Sequence, residues 1–169
     1  MRRDTAAAAV LAAALVALSF VRFGLSGHAC VVASVCVVLV ALSVIDIRER
    51  RLPNRIVLPS AVLVLAAQIA LEPEHALEWI VASLGAALFL FLPLLVFPAG
   101  MGMGDVKLAL LLGAALGRDV VLGLLIGFVA ASLIALGLIA LRGRAARKTF
   151  IPFGPFLAFG AIVALFVSP

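Results

Sequence analysis

"CVVASVCVVLVALSVIDIRERRLPN" occupies residues 30–54, and its two halves could hardly differ more. From Cys30 to Ile45 no residue is charged. Asp46 follows, then Arg48, Arg50, Arg51 and, just beyond, Arg55. An uncharged apolar run bounded by a basic cluster is the pattern of a helix that crosses a bilayer and ends at an interface. Similar runs lie on either side. Apolar stretches fall at 5–21, 29–45, 56–71, 79–97, 106–117, 120–141 and 151–168. Of the 169 residues 66% are hydrophobic and 12% charged, with a mean hydropathy of +1.35. Soluble domains average roughly 45–50% apolar and about 25% charged residues. One water-soluble core could not hide this much apolar surface, so the solvent is lipid. The expected fold class is all-α: a polytopic membrane helix bundle with about seven transmembrane helices, six if the first is cleaved. A crossing helix needs about 20 residues, so the third and fifth stretches are short. Burial within the bundle, or a glycine-rich segment dipping into protein-lined space, accommodates the fifth.

The first stretch has a second reading. "MRRDTAAAAVLAAALVALSF" (1–20) also has the basic start and small-residue apolar middle of a secretory signal. "LSGHAC" (25–30) is a poor lipoprotein cleavage site, because histidine precedes the alanine. A retained span is expected. The domain division is then 1–28, an N-terminal transmembrane helix with signal-like features, and 29–169, the main membrane domain.

A net charge of +5 could suggest nucleic acid as a partner. The basic residues sit in short loops between apolar runs, so their meaning is topological and no nucleic-acid partner is expected. With the N-terminus in the cytoplasm, the inner side holds Arg2, Arg3, Arg48, Arg50, Arg51, Arg55, Lys107, Arg142, Arg144, Arg147 and Lys148. The outer side holds only Arg22 and Arg118, two of the 13 basic residues. The outer loop "EPEHALE" (72–78) is acidic. The inner basic groups, including the "RGRAARK" loop (142–148), are read as topology determinants and contacts for anionic lipid. Cys30 and Cys36 lie inside one apolar run at a spacing that fits no zinc motif, so they read as small lipid-buried side chains. With no phosphate-binding glycine loop, HExxH or cysteine cluster, neither a cofactor nor a metal is expected.

This topology puts two carboxylates at one depth. Asp46 ends the second stretch, and Asp105 opens the fifth within "FPAGMGMGDVKLAL" (97–110). Each alone has an ordinary explanation: Asp46 could be solvated or paired with Arg48, and Asp105 is favoured by a helix dipole. Their matched depth on separate helices is what a two-aspartate site requires. Gly102 and Gly104 add a backbone that can bend for close approach. An ionisable residue at the membrane edge is a functional-site hypothesis by default.

These residues resemble a family. "GMGDVKLALLLGAALG" (102–117) is similar to the GxGD segment of the type IV prepilin leader peptidases, which are membrane aspartic proteases. "DIRERRLPN" (46–54) resembles the family's other aspartate segment, and "IPFGPFLAFGA" (151–161) its last motif. The three occur in the expected order over most of residues 40 to 168. The resemblance implies that Asp46 and Asp105 are the catalytic pair. It implies that Gly102, Gly104 and Lys107 form the GxGD-x-K context, and that Pro53 and Asn54 form the loop after the first aspartate. Pro152, Gly154 and Pro155 match the terminal motif, with roles in helix shape and substrate fit. Presenilin-type GxGD proteases carry Tyr-Asp and Pro-Ala-Leu segments, whereas this chain has no tyrosine. Many bacterial members also carry paired CxxC zinc motifs linked to N-methylation of the product. Here only Cys30 and Cys36 occur, so the resemblance implies a short form that cleaves without methylating.

Two aspartates can hydrolyse an amide when they share one proton, because neighbouring like charges resist double ionisation. The ionised one activates water, and the protonated one hydrogen-bonds the carbonyl and helps the amine leave. The substrate implied is a prepilin or pseudopilin with a short basic leader ending in Gly, followed by an apolar helix. It would be cut at the cytoplasmic face of the bacterial inner membrane, in pilus assembly or protein secretion. The rival reading is a small transporter or secretion-complex component that uses the same aspartates as a proton or ion relay.

Overall fold

A computed structural model describes residues 2–96, 102–142 and 152–167, and no strand occurs among them. Seven α-helices follow one another: α1 (Arg2–Phe23), α2 (Gly27–Glu49), α3 (Asn54–Leu71), α4 (Ala76–Val96), α5 (Met103–Leu116), α6 (Val120–Arg142) and α7 (Gly154–Val167). Single 3-10 turns at Pro73–His75 and Gly117–Asp119 join α3 to α4 and α5 to α6. Local chemistry sets the boundaries. The Ser26 hydroxyl accepts the Ala29 N–H at 3.1 Å and caps the start of α2. Arg50 ends that helix in the left-handed region, with φ 52°, and donates its N–H to the Asp46 carbonyl at 2.9 Å. A non-glycine residue held there costs about 1–2 kcal/mol. The chain turns sharply at that point, and Pro53 precedes the first residue of α3.

Five stretches are long and apolar enough to cross a membrane: Thr5–Phe23, Gly27–Glu49, Asn54–Leu71, Pro73–Val96 and Met103–Leu141. The last contains both α5 and α6. The helices α5 and α7 have only 14 residues each, about 21 Å at 1.5 Å per residue. A hydrocarbon core is about 30 Å thick. The expectation of about seven transmembrane helices is therefore slightly too high. An apolar run looks the same in sequence whether lipid or protein covers it, and α5 is covered by protein. Val106, Leu108, Leu111, Leu112, Ala114 and Ala115 point around its whole circumference and all are buried.

Helix α5 is the hub of the bundle, packed chiefly on α4 and α3 and also on α7. Gly113 lies against the Ala82 carbonyl of α4 so closely that no side chain fits between them. Beside it the Ser83 hydroxyl donates to the Leu110 carbonyl at 2.7 Å, and the buried Gln68 amide of α3 donates to the Ala115 carbonyl at 3.2 Å. Such interhelical bonds are worth about 0.6 kcal/mol each in a membrane bundle. Helix α7 packs on α6 where Gly160 meets Gly123 and Gly127, a G-x-x-x-G pair that lets backbones touch. Helix α1 packs on α2. Cys36 is buried on α2, and Cys30 of the same helix is exposed.

This packing sorts the polar residues to two ends. His28, Glu72, His75, Glu78, Arg118 and Asp119, all assigned to one side by alternating the helices, surround a cavity of about 230 Å³. The end of α2 and the starts of α3, α5 and α7 meet at the opposite end. The basic residues Arg144, Arg147 and Lys148 lie outside the described residues, as do the side chains of Arg2, Arg3 and Arg142.

Candidate active site

Asp46 lies in the last turn of α2 and is only 7% exposed. Its Oδ2 accepts the Gly154 N–H, the first of α7, at 3.1 Å. That N–H is one of the donors a helix start leaves without an intrahelical partner, so it is free to meet a carboxylate. Asp105 is the third residue of α5 and is half-buried. Its Oδ2 accepts the Gly102 N–H at 3.3 Å, while its own N–H bonds the Gly102 carbonyl at 3.1 Å. This is one half of a capping box, the half in which the N3 side chain reaches back to the N-cap. Glycine has no side chain to complete the other half. Each aspartate thus engages one oxygen with a glycine N–H at a helix start. The two carboxylates lie close enough to feel each other's charge.

The surrounding residues fix the three chain segments relative to one another. Lys107 donates from Nζ to Asn54 Oδ1 at 2.7 Å, tying the second turn of α5 to the first residue of α3. Lys107 and Asp105 are two residues apart and do not share a helix face. The lysine therefore acts across helices rather than on its neighbour. Gly104 sits over Leu52: a Cβ there would lie 3.0 Å from Leu52 Cβ. Pro53 precedes α3, and Pro155 occupies the first turn of α7, where its missing N–H deprives no intrahelical bond. Pro152 lies just before α7 and is half-buried.

The structure thus brings together Asp46, Asp105, Gly102, Gly104, Asn54, Lys107 and Gly154, with the three prolines shaping the segments that carry them. Sequence reasoning gave Gly154 a role in helix shape, yet it touches Asp46 directly. A Cβ at 154 would sit 2.7 Å from Asp46 Oδ2. Leu52, which Gly104 packs over, carries no signal of a site role in the sequence. The Gly102–Asp105 bond had a legible signal, the i to i+3 spacing of a helix cap. The Gly154–Asp46 bond joins residues 108 apart and had none.

Comparison with known proteins places the chain in a family. The sequence profile of the type IV leader peptidase family matches residues 33–141, from within α2 to the end of α6 and including both aspartates. The prepilin leader peptidase/N-methyltransferase of Burkholderia pseudomallei strain 1026b is 35% identical over 160 residues, covering 90% of this chain and 51% of that protein. The protein of the same name from Bacillus subtilis strain 168 is 32% identical over 170 residues, covering 94% of this chain and 64% of its own length. That from Pseudomonas putida is 36% identical over 151 residues, covering 85% and 52%. The chain thus spans between half and two thirds of the length of these relatives. No solved structure matches it.

Proposed function

Because the chain belongs to the type IV leader peptidase family, we propose that it is a membrane aspartic endopeptidase, removing the leader of type IV prepilin or pseudopilin precursors with Asp46 and Asp105. The observation that carries this reading is the pairing itself. Two carboxylates from separate helices stand at the same end of the bundle, each steadied by a glycine N–H. Steadying one oxygen leaves the other to hold the shared proton or to face water. The ionised aspartate takes a proton from water as it adds to the scissile carbonyl. The protonated one donates to that carbonyl oxygen and then to the departing amine. The pair titrates as a unit.

A relay through the membrane is less well supported. It would need polar or ionisable groups to continue from the aspartates toward the far end. Among the described residues the only buried ionisable carboxyl is Asp46; beyond it the core is chiefly Leu, Val and Ala, and the buried polar side chains Gln68 and Ser83 each donate to an α5 backbone carbonyl. Within these 169 residues the proposed chemistry is hydrolysis without N-methylation, since both cysteines sit on α2 rather than in a zinc-binding segment.

The direct test is incubation of the purified protein with a precursor carrying a basic, glycine-ended leader. Release of the leader by a single cut after that glycine is expected, and an intact precursor counts against the reading. The proposed site faces the cytoplasm of the bacterial inner membrane, because among the described side chains Arg48, Arg50, Arg51, Arg55 and Lys107 lie toward the aspartate end and only Arg22 and Arg118 toward the other. In a chain with Cys30 and Cys36 replaced by Ala, a cysteine at His75 should be labelled by an impermeant reagent added outside, and one at Arg51 should not. The opposite pattern would put both aspartates on the wrong face.

Lys107 and Asn54 are proposed as positioning residues, holding the α2–α3 turn against α5. The bond is exposed to solvent and so worth about 1 kcal/mol or less; its proposed role is geometric. Lys107→Met and Asn54→Ala should each slow cleavage by about tenfold or more, and the double variant should be no slower than either single. Additive losses would mean that the two side chains act separately.

A further inference from the structure

On the lipid-facing side, α4 and α6 border a groove of about 590 Å³. Its walls are two stripes at helical spacing: Val81, Gly85 and Phe89 on α4, and Val121, Leu125 and Phe128 on α6. The walls are apolar and open sideways, with Val81, Phe89, Val121 and Leu125 each more than half exposed. The groove has a distinct floor and a distinct mouth. At the floor, Phe89 and Phe128 meet edge to face with ring centroids 6.2 Å apart. At the mouth, on the end away from the aspartates, stand Glu78 and Arg118. The Arg118 backbone N–H reaches Glu78 Oε1 at 3.4 Å. Among the described residues the Arg118 guanidinium has no carboxylate partner.

Length decides what can occupy such a groove. From Glu78 to Phe89 the helix rises about 16 Å. A transmembrane helix needs the full hydrocarbon thickness of about 30 Å, and a single leaflet supplies about half of that. The groove is therefore one leaflet deep, which suits an acyl chain and is too short for a peptide helix that crosses the bilayer. Its mouth carries one charge of each sign. An anionic headgroup would satisfy Arg118 but meet Glu78, whereas a zwitterionic one can set its phosphate beside Arg118 and its ammonium beside Glu78. The groove is open beside Gly85, where an added Cβ would meet no atom within 4 Å.

We propose that the α4–α6 groove is a specific site for one phospholipid with a phosphoethanolamine-type headgroup, its chain lying between α4 and α6 and its headgroup at Glu78 and Arg118. The site is distinct from the basic cluster near the aspartates, where anionic lipid is the expected contact.

The test is native mass spectrometry of the full chain, released from nanodiscs holding equal amounts of phosphatidylethanolamine and phosphatidylglycerol. One phosphatidylethanolamine should stay bound per chain, favoured over phosphatidylglycerol by about fivefold or more. Gly85→Leu fills the groove from a helix interior that leucine favours, and should cut the bound fraction at least about tenfold. Leu125→Trp closes the groove from the opposite wall and should do the same, which guards against a folding defect in either variant. Glu78→Gln with Arg118→Ala should abolish the headgroup preference. No retained lipid, equal retention of the two headgroups, or full retention in both groove variants would overturn the proposal.

Discussion

Asp46→Asn and Asp105→Asn should each lower precursor cleavage by about 10³-fold or more while the protein inserts and folds as before. Asparagine keeps the shape of aspartate and still offers an oxygen to the glycine N–H that each carboxylate accepts at 3.1 and 3.3 Å. What it lacks is the exchangeable proton. General acid–base catalysis contributes about 10²–10⁴ in rate, and two groups sharing one proton are lost together. The double variant should therefore be no slower than the singles, because groups that act as a unit are grossly non-additive. Gel-shift assay of a co-expressed precursor, with membrane fractionation as the control, reads both quantities. Full processing by either single variant would end the two-aspartate reading. Additive losses would show that the carboxylates serve separate steps.

Gly154→Ala should cost about 10²-fold in cleavage with little loss of helix content. The new Cβ would stand 2.7 Å from Asp46 Oδ2 and 3.2 Å from its Cγ. That is closer than real contacts allow, and Asp46, only 7% exposed, has little room to retreat. The carboxylate must shift by several tenths of an ångström or more, and misplacing a reacting group by about 1 Å costs roughly 10²-fold. Gly104→Ala provides the comparison. Its Cβ would press on Leu52 at 3.0 Å, and an apolar side chain outside the chemistry can give way. A loss of less than about tenfold is expected there. If Gly104→Ala proved the more damaging of the two, the Gly154–Asp46 contact would not be what positions the aspartate.

Much of the bundle was legible because lipid imposes one demand on every stretch: long apolar helices, with charges at their ends. Each of the seven apolar stretches corresponds to a helix in the described residues, and alternating them puts His28, Glu72, His75, Glu78, Arg118 and Asp119 around one cavity. Length misled where protein replaces lipid as the covering. Nothing in "VKLALLLGAAL" (106–116) says that its leucines face α3, α4 and α7 rather than acyl chains. Within the site, Asp46 and Asp105 stood out because charges are costly at membrane depth. The N–H that holds Asp46 did not, because it comes from a glycine 108 residues away and leaves no trace in local spacing. The Lys107–Asn54 bond spans 53 residues and depends on how α3 and α5 cross. Local spacing could suggest what Lys107 does not face, but only tertiary packing supplies what it meets.

The bond from Gly154 to Asp46 also sets a clock on the molecule's own biosynthesis. Asp46 leaves the ribosome 108 residues ahead of the N–H that holds it. At about 5–20 residues per second that is an interval of roughly 5–20 s. Throughout it, α2 can insert and pair with α1, and α5 can bring Asp105 alongside, but Asp46 has no partner from α7. A nascent chain with both aspartates already in the membrane therefore still lacks one of the two glycine contacts that steady them. Competence arrives in one step, when residue 154 is made and α7 docks, so a chain stalled before that point contributes membrane helices but no assembled site.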